Sequence, residues 1–567
     1  MTHAQILSLT LLAVLPLGAQ ANAFLGQVRE GNHQKASARF ERALLDELED
    51  VLGSEHRRFT ERRIQKLEDA VLPTFKAMRK NEHGKLSHGA VSYLLHRLFV
   101  QRHGWIIEGL SPTGGKEQST WNESSASALF EDRVPEFVQS TFENRTGKFG
   151  LGVHEIAVVA ATLEHLVHKE SIERLRLAYQ SMELQPEDEI SPKEGEEVLD
   201  AYMTLYVLGF LIKGRTEMKP KDVKHLRNNI AEIYPTWPDT QKYIREVHET
   251  VAPSRDYYFF ADLVTVIEEA GERYGRWQDL ECRTLKNDLL QIEDTGAGGA
   301  GRVRLADFYK QALHHDKWQF SESQEFLRQN GALDESDPKN PRVIIPNYVN
   351  NPSNCIASST YYSVCCIDEC EGLLAHLEDK IGKPDGSPKE ISAIVASLLS
   401  SSQTAERKLS PWLLQQLDDV AAHHAGKVPL HGRLFTQWMH FAYPRECAFP
   451  HVAGSVDPKH LVDMLDENLT THAATKEDME WHVEAVPERM ENILDASTHE
   501  QVGLKSMEEE LVVRCPIEPA STGTTVKSWL LRGIAMVGAV AAISMRLMRA
   551  RPKGSHDPSI ATSKYYV

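Results

Sequence analysis

Apolar residues recur at helical spacing through most of this 567-residue chain, which leaves little room for anything but a mostly α fold. Phe40, Leu44, Leu45, Leu48, Val51 and Leu52 form one stripe, and Ile64, Leu67, Val71, Leu72, Phe75 and Met78 form the next. Val153, Ile156, Val159, Leu163, Leu166 and Val167 form a third. Long two-residue alternation is rare; the best short extended run is Arg342-Val343-Ile344-Ile345-Pro346. The turns repeat a pattern. Gly84-Lys85-Leu86, Gly301-Arg302-Val303 and Gly426-Lys427-Val428 each precede an amphipathic helix. Helix, glycine turn, basic residue, apolar residue, helix is the outline of a helix–loop–helix unit whose loops pair over two residues.

That outline resembles the EF-hand (calmodulin-like) superfamily. The family loop has twelve residues, with oxygen ligands at the odd positions and the last, glycine sixth and an apolar residue eighth. Glu183 to Glu194 matches best, with Glu183, Gln185 and Glu187 at the first three ligand positions, Ile190 eighth, Ser191 ninth and Glu194 twelfth. It departs at the sixth place, where Asp188 replaces glycine; a left-handed backbone there would cost about 1 kcal/mol. The resemblance implies Ca2+ held by Glu183, Gln185, Glu187, Ser191 and Glu194, at roughly the 10⁻⁴–10⁻³ M of extracellular modules. Asn144 to Glu155 is its expected partner loop, keeping Asn144, Thr146, Leu151 and Glu155 in place but with Lys148 and Phe149 against the pattern. A second expected pair runs from Gly296 to Asp307 and from Ser336 to Asn347. The first of these lacks side-chain oxygens at Gly296, Gly298 and Ala300, and the second carries Pro338 and Pro341. The loops at Gly84 and Gly426 end on Ala90 and Gly432 rather than on an acid. The resemblance covers roughly residues 60–350, and 380–445 more faintly. It extends to the fold, not to an activity. The chain is also similar to uncharacterised alveolate type I membrane proteins with such degenerate loops.

Two apolar segments bracket this helical body. Ile6 to Leu17 followed by Ala21-Asn22-Ala23 reads as a signal peptide ending at residue 23. Trp529 to Met548 reads as a membrane helix, with Arg546, Arg549, Arg551 and Lys553 behind it placing the C-terminus in the cytoplasm. The expected topology is a single-pass type I protein of the plasma membrane or an endomembrane. Sequons at Asn122, Asn144 and Asn468 agree with a luminal body, which makes the chain a candidate glycoprotein. The tail Tyr565-Tyr566-Val567 suits a groove that accepts a C-terminal strand. The layout then reads as an N-terminal helical domain over 24–115 and loop pairs over 116–218 and 219–350. A Cys-containing helical domain over 351–450, an acidic juxtamembrane stretch over 451–527, the span over 528–548 and a tail over 549–567 follow.

The formal net charge of −18 repels phosphate and argues against nucleic acid as a partner. Seven cysteines, at 282, 355, 365, 366, 370, 447 and 515, lie between the apolar segments. Cys355, Cys365, Cys366 and Cys370 have the wrong spacing for a zinc knuckle, so disulfides are expected. Cys282, alone in a helical stretch, is the candidate free thiol, and Cys447 could pair with Cys515. Walker loop, nucleophile elbow, zinc-protease motif and dinucleotide fingerprint are all missing from the sequence. The expected function is therefore a non-enzymatic, membrane-anchored interaction or scaffold protein with weak calcium binding. The alternatives are a calcium sensor or buffer, and a hydrolase built on His423, His424 or His431 with a nearby acid.

Overall fold

A computed structural model describes residues 57–107, 109–110, 150–209, 219–253, 255–315, 319–356, 358–359, 361–459, 472–484 and 506–512. All of them fall in one unit, Met1–Val513. The signal-peptide candidate, the sequons, Cys515, the Trp529–Met548 span and the tail lie outside the described residues. Among the described residues no helix is long and apolar enough to cross a membrane.

The fold is mostly helical, and loop-to-loop contacts organise the helices. Helices α1 (Arg57–Ala77) and α2 (His88–His103) flank the Gly84 turn, where Leu86 bridges Leu151 just ahead of α3 (Val153–Ser181). Helices α3 and α4 (Pro192–Val207) flank the 183–194 loop, where Ile190 bridges Tyr258. After α5 (Pro220–Ile233), helices α6 (Trp237–Val251) and α7 (Phe260–Gln291) flank Tyr258. Strand β2 (Arg302–Arg304), ahead of α8 (Leu305–His315), pairs with β4 (Arg342–Ile344), ahead of α10 (Ile345–Val349). Between them α9 (Gln324–Gln329) leads into β3 (Leu333–Asp334), which pairs with β4 and completes a three-stranded sheet in the order β2-β4-β3. The last pair joins α11 (Glu369–Ile381), β6 (Asp385–Gly386) and α12 (Pro388–Ser397) to α13 (Pro411–His423), β7 (Val428–Pro429) and α14 (Arg433–Ala442), with Gly386 opposite Val428.

The loops therefore meet in sequence order: 86 with 151, 190 with 258, 303 with 343, and 386 with 428. This corrects the expected partnership of 144–155 with 183–194. Those loops lie at opposite ends of the 29-residue α3, about 43 Å apart at 1.5 Å per residue, so they cannot meet. The 32-residue α7 plays the same part between Tyr258 and β2. In each case one long helix is shared by two successive pairs.

Serine–proline dipeptides start three of these helices. Ser191, Ser387 and Ser410 each accept the backbone N–H three residues on, and the following proline stands where no N–H is needed. Burial follows the second and third stripes, while the Phe40–Leu52 stripe lies outside the described residues. The first two pairs share one core with Tyr361, Tyr362 and Val364. The third pair has its own, joined by Met479 of α15 (Lys476–Glu484), and the fourth closes around Trp438, whose indole N–H donates to the Leu413 carbonyl at 2.8 Å.

Three disulfides staple the later units: Cys282–Cys366, Cys355–Cys365 and Cys370–Cys447. Cys282 is thus not the free thiol, because α7 lays it beside residue 366 although 84 residues separate the two. Cys447 does not pair with Cys515, because the chain after α14 brings it to Cys370 at the start of α11. Strand β1 (Trp105–Ile107) pairs with β5 (Tyr362–Val364), tying the first unit to this stapled region.

Candidate functional site

The 183–194 loop is built by helix termination and helix initiation. Helix α3 stops where Glu183 turns left-handed at φ 63°, the Leu184 N–H returns to the Tyr179 carbonyl at 3.0 Å and the Glu183 N–H to that of Gln180 at 3.1 Å. This is a helix stop normally given to glycine. The strained residue is therefore Glu183; Asp188 is not left-handed, and its carboxylate accepts the Gln185 N–H at 2.7 Å. At the other end Glu194 accepts both the Ser191 N–H at 2.8 Å and the Ser191 hydroxyl at 2.7 Å. These bonds, the backbone one first, lower the Glu194 pKa below its ordinary value. Ser191 and Glu194 hold each other in a capping box.

Oxygen chemistry at Glu183, Gln185, Glu187, Ser191 and Glu194 suits a hard cation. All five are exposed, and Glu194 is turned onto the helix start. Among the described residues no three His, Cys, Asp or Glu side chains gather as a metal-holding group. A cation here would first have to draw Glu194 off its cap.

Carboxylates and their replacements at the ends of the other loops are also committed. Glu155 accepts the Gly152 N–H at 2.8 Å and the Lys85 ammonium of the partner loop at 2.7 Å. Asp262 accepts the Phe259 N–H at 2.9 Å and pairs with Arg255 at 3.0 Å. Asp307 lies between Arg304 and Lys310 at 2.7 and 2.9 Å. Asn347 exchanges two hydrogen bonds with the Phe449 backbone. The 251–262 and 379–390 loops stand at the matching places, and the sequence signals they carry are Tyr258 with Asp262, and Ser387 with Glu390.

The histidines join elements. His431 donates from Nε2 to Glu378 at 2.6 Å, and Glu378 also accepts from Thr74 at 2.8 Å and from the Arg97 guanidinium. Arg97 bonds Glu371 as well. Burial alone would raise the Glu378 pKa, yet Arg97 and the His431 hydrogen bond outweigh it and hold it at about 2. His424 meets Glu509, and His423 lies edge-on to His424 with ring centroids 5.1 Å apart. His440 is fully buried, accepts from Arg302 at 3.1 Å and donates to the Cys447 carbonyl at 2.7 Å. Desolvation, helped by Arg302, pushes its pKa down to about 3. A second network joins Arg63, Glu164, His103 and Glu272 across α1, α3, α2 and α7, with Arg63 to Glu164 at 2.6 Å. No family model, curated protein or solved structure matches the chain. A small cleft lies beside the Cys282–Cys366 bridge, lined by Lys286, Glu369 and Arg445 among others. It does not include His423, His424 or His431.

Proposed function

We propose that this protein is a non-enzymatic interaction scaffold of degenerate EF-hand-like units, in which the loops couple helices rather than sense a cation. The observation that carries the reading is the use of the loop ends. Glu155, Glu194 and Asp262 cap helices, Glu155, Asp262 and Asp307 pair with lysine or arginine, and neighbouring loops bond to each other through their backbones. A carboxylate already satisfied by an N–H or a basic side chain offers a cation little net gain. Calcium binding at 183–194 is then weak, because Glu194 gives up two hydrogen bonds before it can ligate.

The three disulfides support an oxidising compartment, and the sequence supplies the rest of the reading: a luminal body held by Trp529–Met548 with a short cytoplasmic tail. Calorimetric titration of the full chain with calcium tests the cation part. The expected result is no heat below millimolar calcium. A submillimolar isotherm abolished by Glu194→Gln would instead make the protein a sensor or buffer.

A further inference from the structure

Residues 506–512 (Ser-Met-Glu-Glu-Glu-Leu-Val) lie along the start of α14 as an extended segment, remote in sequence from everything they touch. Arg433 reads three of their carbonyls. Its backbone N–H donates to the Glu510 carbonyl at 2.9 Å, Nε to that of Glu508 at 2.7 Å and Nη2 to that of Ser506 at 2.9 Å. The Val512 N–H donates to the His431 carbonyl at 3.2 Å, and the Ser506 N–H to Gln437 at 3.2 Å. Backbone recognition of this kind accepts any extended chain, so selectivity must come from side chains.

Two carboxylates and one apolar side chain supply it. The N-cap position before helix α14 is Gly432, which has no side chain to cap it. The Glu509 carboxylate does so from outside, accepting the Leu434 N–H at 3.1 Å and bonding His424. A negative charge at a helix N-terminus is favoured by the exposed N–H groups there. Glu510 accepts the Ala453 N–H at 3.2 Å through both oxygens. Leu511 sits on Gly432 so closely that a Cβ there would stand 2.9 Å from its Cδ2 and 3.0 Å from the Glu509 carboxylate. The glycine is the seat of the segment.

We propose that His424, His431, Gly432, Arg433, Gln437 and Ala453 form a recognition site for an extended acidic peptide, of which 506–512 is the resident, displaceable occupant. The ligand class is a strand with two consecutive carboxylates followed by leucine. A second protein presenting that pattern competes with the chain's own segment. The inference stands on these contacts alone and holds whether or not the loops bind calcium.

The test uses the full chain and a fluorescent Ser-Met-Glu-Glu-Glu-Leu-Val peptide, read by anisotropy. Vacating the site with Glu509→Lys and Leu511→Asp should let the peptide bind at least tenfold more tightly than it binds the unaltered chain. A Gln in place of the Glu matching Glu509 should weaken the peptide at least fivefold. Equal binding to both chains, or to neither, overturns the proposal. Should the double variant not fold, a protease site placed within 485–505 of the otherwise unaltered chain serves instead. After cleavage, millimolar peptide should release the C-terminal fragment on gel filtration, and retention of that fragment overturns the proposal.

Discussion

At the scale of single residues, three side chains that look like ligands in the sequence also shape helix ends: Glu183 stops one, and Ser191 and Glu194 cap the next. Glu183 illustrates this most clearly, because its left-handed backbone ends α3 as glycine usually would. A non-glycine residue there carries about 1–2 kcal/mol of strain, offset in part by glycine's greater freedom in the unfolded chain. Glu183→Gly should therefore raise stability by up to about 1 kcal/mol in urea unfolding. A clear loss of stability would mean that the carboxylate does something this account omits. The pattern in the sequence supplied the residue type but not its backbone conformation. Asp188, marked as the strained position because it replaces a family glycine, is instead a relaxed turn residue bonded to the Gln185 N–H.

Between elements, charged side chains do the joining. Glu378 on α11 gathers Thr74 of α1, Arg97 of α2 and His431 beside β7 into one buried node. Its folded pKa of about 2 lies below the ordinary carboxylate value, so it binds a proton less readily when folded than when unfolded. Its contribution, of order 3 kcal/mol, is present above the unfolded carboxylate pKa and lost as the pH falls through the folded one. Glu164 behaves alike, with burial outweighed by His103 and Arg63 at about 2. His440, held at about 3, adds a loss that begins as the pH drops below the ordinary histidine value. Unfolding free energy should accordingly fall steadily from pH 7 to pH 3, and Glu378→Gln should be destabilised at pH 7 with a flatter acid slope. Stability that stays level down to pH 4 contradicts this. Little of it could be read in advance, since partners 281 residues apart leave no local pattern. Helix starts, by contrast, are set locally. Ser191-Pro192 and Ser387-Pro388 act on their own backbone. The expected pairing of the 296–307 loop with the 336–347 loop is found, with Val303 opposite Val343. The Tyr258 partner of Ile190 was not legible, because Val251, Pro253 and Arg255 stand where acids would mark such a loop.

Taken whole, the described body is a chain of coupled pairs rather than separate beads. Helices α3 and α7 each leave one pair and enter the next, and Gly301 is pressed against Pro444 so closely that a Cβ would come within 1.9 Å of its carbonyl oxygen. Arg445 holds Glu293 at 2.8 Å across the same junction, and Cys282–Cys366 and Cys370–Cys447 close loops on either side of it. Closing loops of this length stabilises by roughly 4 kcal/mol per bridge in the chain-entropy picture. On the proposed reading such a body needs no cation to hold its loops together, and backbone hydrogen exchange asks that question directly. With and without 1 mM calcium, the amides of Leu86, Leu151, Ile190 and Tyr258 should show the same protection. Protection at Ile190 and Tyr258 that appears only when calcium is added would contradict it.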